Sequence, residues 1–219
     1  MTNRSTVVAS QLLQIKAIKL SPQTPFTWAS GLRSPIYCDN RLVLSYPAAR
    51  QIIANQFVEL STQFSGITGI AGVATAGIPH GVLLADRLDL PFIYVREKAK
   101  AHGRQNQIEG ELPPGSRVLV VEDLISTGVS SLKAVEAIRE AGIEVAGVVA
   151  VFTYGFISAQ AAFEQANCPL STLTDYSTLL QTAIAEHYLA ATELNTLEKW
   201  SKDPAAWSQE WESNNRIKN

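Results

Sequence analysis

RVLVVEDLISTGVSS, residues 117–131, is the stretch on which the reading of this chain turns. It opens as an apolar run, Val118 to Val121, of the kind that forms a strand buried on both faces. The run stops on two acids, Glu122 and Asp123, then passes through Leu124 and Ile125 to Ser126-Thr127-Gly128, where side chains are short or missing. A helix is predicted next, because Val129, Leu132, Val135 and Ile138 recur every third residue and Gly142 supplies a stop. In a parallel sheet, ligands sit outside the carboxyl ends of the strands, which is where this turn falls. The helix it feeds begins with N–H groups that lack intrahelical partners and with the positive end of a dipole. That combination holds an anion.

The hydroxyls of Ser126 and Thr127, the bare backbone at Gly128 and the first-turn Ser130 converge as donors suited to one phosphate. Dipole attraction contributes only about 0.3–1 kcal/mol when exposed and up to roughly 2 kcal/mol when partly buried, so hydrogen bonds must carry most of the grip. The acids need another partner, since a phosphate repels them. Carboxylates accept from hydroxyls, so acids beside a phosphate cradle suit a sugar phosphate, with the ribose hydroxyls on Glu122 and Asp123. Side chains alternate across a strand, so both acids reach one ribose only if the chain turns out of strand geometry at Glu122. Ordinary helix capping needs one short polar residue; an acid pair, two hydroxyls and a glycine behind an apolar strand exceed that need.

Working outward, 219 residues read as one α/β domain spanning 1–219. The chain is 46% hydrophobic and 17% charged, which excludes a disordered or coiled-coil protein. A net charge of −2 supplies no global basic field for nucleic acid or an anionic membrane surface, so any anion site is local. Cys38 and Cys168 have no spacing suited to zinc or to a disulfide framework, and a reducing cytoplasm is the expected setting. The N-terminal segment has no continuous apolar core of the secretory type. Residues 66–85 carry no Asp, Glu, Lys or Arg, yet their glycines and Pro79 break them into strand, turn and helix.

The expected order begins with an amphipathic helix over Val7 to Ile18, followed by loop and short strands through SPQTPFTWASGLRSPIYCDNR. A helix over Pro47 to Phe64 comes next, with Ala48, Ile52, Phe57 and Leu60 as core candidates. Then come a strand Ile67 to Ala71, a glycine-bearing turn, a helix from about Gly77 to Asp86 and a strand Phe92 to Arg96. A polar loop runs through Leu112, and after the opening stretch an apolar strand covers Val145 to Thr153. Strands alternating with helices at this spacing give a mostly parallel sheet covered on both faces. GVATAGIPHG spaces Gly72 and Gly77 as a P-loop does, but Ile78-Pro79 stands where Lys-Ser/Thr is required, and no G-x-G-x-x-G occurs.

REKAKAHGR sets Arg96, Lys98, Lys100, His102 and Arg104 on alternate positions, so one face of an extended segment is cationic. A solvated surface loop is the competing reading for Lys98 and Arg104. Gly103 and Gly110 would permit the loop to move. His80 and His187 have no metal-spaced partner and read as structural or surface residues. Trp200, Trp207 and Trp211 lie in a polar tail that reads as the anchor of a terminal helix.

VLVVEDLISTG resembles the ribose-phosphate signature of the type I phosphoribosyltransferases, an apolar strand, two acids and a small Thr-Gly turn. FTWASGLRSPIYCDN, GVATAGIPHG and YVREKAKAHGRQNQIEGE are similar to the orotate phosphoribosyltransferase branch, and FTYGF and TDYS extend the likeness over most of the chain. The resemblance implies a mostly parallel sheet flanked by helices, with a small N-terminal hood. It implies conversion of orotate and phosphoribosyl diphosphate to orotidine 5′-phosphate and diphosphate with Mg²⁺, no protein side chain being assigned as a metal ligand. Residue by residue, Glu122 and Asp123 would hold the ribose, and Leu124, Ile125, Ser126, Thr127, Gly128, Val129 and Ser130 would wrap the 5′-phosphate, Ser126 also touching orotate. Arg96, Lys100 and His102 match the diphosphate contacts, with Lys98 beside them. Tyr37 falls where a base-stacking residue lies, although an aromatic in a short strand is more often core, and Cys38 replaces an aromatic.

Ala29 and Ala76 stand where some members carry lysine, which shifts the diphosphate load onto Arg96, Lys98 and Lys100. The resemblance further implies a homodimer with the 97–110 loop shared between subunits, and no nucleic-acid or membrane partner. A purine-specific phosphoribosyltransferase and a nucleotide-sensing, RNA-binding regulator on the same fold are the alternatives.

Overall fold

The computed structural model describes residues 3–28, 30–97 and 107–216. Its centre is a six-stranded sheet in the order β10-β9-β8-β5-β6-β7. The strands are β5 (Gly69–Val73), β6 (Phe92–Val95), β7 (Ile108–Glu109), β8 (Arg117–Ile125), β9 (Glu144–Thr153) and β10 (Leu170–Asp175). All neighbours pair in parallel except β6 with β7. Parallel strands require crossovers, and the helices that supply them cover both faces of the sheet.

One face carries α1 (Arg4–Gln14), α2 (Pro47–Ser61), α3 (Gly77–Leu88) and α6 (Tyr176–Ala185), packed on Leu119, Val121, Val149 and Val151. The other carries α4 (Val129–Glu140) and α5 (Ile157–Gln165), packed on Val118, Val120, Val148 and Ala150. The apolar run that opens β8 is therefore divided residue by residue between two cores. The glycines of GVATAGIPHG serve this packing. A side chain at Gly81 would meet Phe92, and one at Gly77 would meet the Val121 carbonyl, so α3 starts directly against β8.

Above the carboxyl ends of the strands sits a hood of β1 (Ile18–Leu20) paired with β4 (Ile36–Cys38) and β2 (Phe26–Thr27) paired with β3 (Arg33–Ser34). A 3-10 turn over Asn40–Ser45 leads from it into α2. The C-terminal helices α7 (Leu194–Lys202) and α8 (Pro204–Arg216) fold back on the hood. Trp200 is fully buried among Trp28, Tyr154, Phe156 and Tyr176, and the Arg33 guanidinium lies over the Trp211 ring. Trp200 and Trp211 thus fasten the polar tail to the hood, and Trp207 is buried in the same core. Residues 66–85 form β5, a turn and α3, and among the described residues no helix is long and apolar enough to cross a membrane.

Several boundaries differ from expectation. The first helix ends at Gln14, because Lys16 takes a positive φ of 58° and Ile18 turns into β1. In α2 the buried residues are Ala49, Ile53, Ala54, Phe57, Leu60 and Ser61. Ala48 is exposed and Ile52 only half-buried, a one-residue rotation that the adjacent apolar pair Ile52-Ile53 made invisible to periodicity. The strand expected over Ile67 to Ala71 is displaced to Gly69–Val73, in register with β8. Val129, placed on the apolar stripe of α4, is 54% exposed.

Candidate active site

The chain does not turn out of strand geometry at Glu122. Strand β8 continues to Ile125, with Glu122 opposite Ala150 and Leu124 opposite Phe152 on β9. Its other neighbour stops earlier: the last β5 pairing is Gly72 with Val121. The acids consequently stand where β8 is flanked on one side only, and the gap left by β5 is what opens them to a ligand. Both line one cavity of about 370 Å³ with Cys38, Asp39, Arg41, Leu124, Ser130 and the turn Ala74-Thr75-Ala76. Alternation still separates their surroundings. Glu122 is buried, while Asp123 is half-buried on the hood side.

Glu122 is fixed by two donors, the Asp123 N–H at 3.0 Å and the Ser131 hydroxyl of α4 at 3.2 Å. Burial, with the neighbouring Asp123 charge adding to it, pushes its carboxyl up to about 9. Burial also raises Asp123, partly offset by the hydrogen bond with Glu122. The pair therefore holds protons more tightly than free carboxyls do, Glu122 above all. Such a pair accepts from hydroxyls and gives up its proton when a cation arrives.

The turn forms as expected. Gly128 has φ 79°, a conformation glycine adopts without strain, and a side chain there would stand 2.7 Å from a Phe163 ring carbon. Val129 and Ser130 then open α4, with their N–H groups at the helix N-terminus. Ile125 is fully buried, so any ligand contact it makes is through its main chain.

A second cavity, of about 450 Å³, is lined by Thr27, Trp28, Tyr37, Cys38, Leu124, Ser126 and Tyr154. Cys38 and Leu124 line both cavities, so the two adjoin. Tyr37 is not a core residue; it is 38% exposed and forms part of this aromatic wall. A planar, partly polar ring suits such a wall. Two larger hollows, about 670 and 690 Å³, lie on the α4–α5 side of the sheet, and neither reaches the acid pair.

Arg96 follows β6 and lines a small cleft with Ala74, Gln107, Ser130 and Lys133, adjoining the acid cavity through Ala74 and Ser130. Its guanidinium lies 3.4 Å from the Glu109 carboxylate. Lys98, Lys100, His102, Gly103 and Arg104 lie outside the described residues, as does Ala29. His80 is far from solvent, its ring tilted against that of Phe57 and its Nε2 unpartnered, and burial lowers it to about 4.

Four features escaped sequence reasoning. Asn40 donates to the Asp123 carbonyl at 2.7 Å. Arg41 grips Asp39 through Nε and Nη2 at the cavity rim. Tyr154, the residue directly after β9, closes the aromatic wall. Lys133 adds a cation one turn into α4. Only the DNR triplet directly after the strand Ile36–Cys38 offered a signal, since charged and amide residues beside a short buried strand need local partners.

Comparison with known proteins gives a match to the phosphoribosyl transferase domain family over residues 43–168. The chain is similar to the orotate phosphoribosyltransferase of Listeria monocytogenes, 53% identical over 203 residues that cover 92% of this chain and 97% of that protein. It is 55% identical over 208 residues to the orotate phosphoribosyltransferase of Bacteroides fragilis, covering 94% of this chain and 98% of the other. Among solved structures, orotate phosphoribosyltransferase from Aeropyrum pernix superposes with a TM-score of 0.72 at 31% identity, over 80% of this chain and 96% of that one. UMP synthase from Leishmania donovani superposes with a TM-score of 0.77 at 27% identity, over 90% of this chain but only 42% of that longer protein.

Proposed function

We propose that this chain, which belongs to the phosphoribosyl transferase family and within it to the orotate phosphoribosyltransferases, makes orotidine 5′-phosphate and diphosphate from orotate and phosphoribosyl diphosphate, a step of pyrimidine nucleotide synthesis. The observation that carries the reading is the opening of the acid pair and the Ser126–Ser130 turn at one strand end, beside a cavity walled by aromatic residues. A purine-specific relative is not favoured by identities above 50% to orotate enzymes, and the broad basic face that an RNA-binding regulator would need is not favoured by a net charge of −2.

In this assignment Asp123 and Glu122 accept from the ribose hydroxyls, and main-chain N–H groups of Leu124 to Ser130 hold the 5′-phosphate. Tyr37 and Ser126 contact orotate. The bond from the anomeric carbon to the diphosphate oxygen breaks with its electron pair leaving on diphosphate, and a ring nitrogen of orotate bonds to the carbon as its N–H proton passes to the departing diphosphate. Positive charge grows on the ribose as the bond stretches, and the anionic acid pair beneath it favours that state over the ground state. Arg96, with Lys98, Lys100 and His102 of the 97–110 loop, takes the departing negative charge. That loop would come from the neighbouring subunit of a homodimer and exclude water from the activated sugar.

Mg²⁺ fits as an ion carried chiefly by the substrate: hard oxygen donors face the cavity from Glu122 and Asp123, and among the described residues no His, Cys, Asp and Glu cluster forms a self-sufficient metal site. The chemistry it supplies when bound is neutralisation of diphosphate charge. The proposed substrates and the free thiols of Cys38 and Cys168 support a cytoplasmic setting.

The test is spectrophotometric loss of orotate on adding phosphoribosyl diphosphate and Mg²⁺. Turnover of adenine or hypoxanthine without loss of orotate would replace this reading with the purine one. For the shared loop, Lys100→Ala and Asp123→Asn proteins, each inactive alone, should regain activity when mixed; absence of recovery counts against sharing.

A further inference from the structure

Asp123 sits on the side of β8 that has lost its β5 neighbour, so its main-chain groups need other partners. Both find side chains. The N–H donates to Glu122 Oε1 at 3.0 Å, and the carbonyl accepts from Asn40 Nδ2 at 2.7 Å, across 83 positions of sequence. Asn40 is 1% exposed and opens the 3-10 turn that leaves the hood. Its Oδ1 accepts from the Cys38 thiol at 3.3 Å, and Cys38 lines both cavities. One amide thereby ties the strand end that carries the acids to the hood segment that walls the aromatic cavity.

We infer that Asn40 is a positioning residue for the transfer: it fixes the main chain at Asp123, and with it the carboxylate and Leu124, relative to the hood wall that faces the base. This rests on the ribose role assigned to Asp123 above. The amide touches no reacting atom. Its effect is to set the angle and depth at which the acid meets the ribose while the hood holds the ring in line. A side chain that merely filled the space would pack as well but leave the carbonyl free to rotate. A misplacement of about 1 Å at a reacting centre costs up to roughly a hundredfold in rate.

The experiment uses the full chain with Asn40→Ala and with Asn40→Leu, which keeps the size but loses the donor. Thermal unfolding fixes an assay temperature at which each is folded. The expected result is a kcat lower by roughly ten- to a hundredfold, with both KM values and the affinity for orotidine 5′-phosphate within about twofold of the parent. Folded variants with parental kcat overturn the inference. So does a loss that tracks the melting temperature and vanishes on cooling, which marks Asn40 as a stabiliser of the hood alone. Asp123→Asn, assayed alongside, separates the two premises: if it keeps parental turnover, the ribose assignment falls, whatever the Asn40 variants do.

Discussion

Replacing Glu122 with glutamine should make the protein more stable as pH rises while disabling it. In the folded chain the carboxyl is held up at about 9 from its ordinary 4.5, first by burial and then by Asp123. A carboxyl raised on folding contributes stability that is complete below its unfolded value and is lost as pH climbs toward the folded one, because the native state keeps a proton that the unfolded chain has released. Each pH unit crossed in that window costs about 1.4 kcal/mol, so the parent loses at most about 3 kcal/mol between about pH 5 and pH 7 from this group. Glutamine is neutral throughout. Its carbonyl still accepts from the Asp123 N–H, and its amide meets the Ser131 hydroxyl as an acceptor. In urea titrations at several pH values, the stability gap between Glu122→Gln and parent should widen with pH up to about 3 kcal/mol, or roughly 6–12 °C in melting temperature for a chain of this length. Curves that run parallel across the window would mean that Glu122 is ionised in the free protein, and the raised carboxyl would have to be abandoned.

The same pair predicts that phosphoribosyl diphosphate with Mg²⁺ expels a proton on binding. Calorimetry in buffers of different ionisation enthalpy should give a slope of the release sign, and a flat or inverted slope refutes it. Asp123→Asn should lower kcat by at least about a hundredfold with unchanged circular dichroism and no loss of melting temperature, since its carboxyl is itself raised by burial; a stable, fully active variant contradicts the ribose role. Gly128→Ala puts a side chain at φ 79° and 2.7 Å from Phe163, so KM for phosphoribosyl diphosphate should rise and stability fall by about 1–3 kcal/mol. Adding Phe163→Leu should recover only the part due to the clash. Trp200→Ala, at a fully buried position, should cost about 3–5 kcal/mol and weaken orotate binding through Trp28 and Tyr154, which an unchanged orotate KM in the folded variant would disprove.

The centre of the sheet was legible because β8 and β9 are buried on both faces along most of their length, whereas β7 and β10, only partly buried, went unread. Val118 to Val121 and Val145 to Phe152 have no polar residue to hide, and a parallel sheet covered by crossover helices is the architecture that uses such runs. Where the pattern was ambiguous the reading slipped. Ile52 and Ile53 are equally apolar, so only the packing of α2 against α1, α3 and the sheet decides which is buried, and those contacts are made by residues far away in sequence. The end of the first helix failed for a related reason: Ile18 is as apolar as a helix stripe demands, but it pairs with Cys38 in the hood.

At the site, the local half of the chemistry was readable and the distant half was not. Glu122 to Ser130 is contiguous, and its spacing alone places acids, bare turn and helix N-terminus together. The mechanism expected to expose the acids, a departure from strand geometry at Glu122, was wrong because exposure depends on the strand next door. Strand β5 stops pairing at Gly72, and no property of residues 117–131 encodes where that happens. The consequence reaches further. An acid pair on a half-flanked strand is buried enough to retain a proton and has main-chain groups left over, so its geometry depends on side chains brought from elsewhere, Ser131 from α4 and Asn40 from the hood. The substrate-facing charge of this protein is therefore a property of three segments meeting, and substitution in any one of them should be felt at the other two.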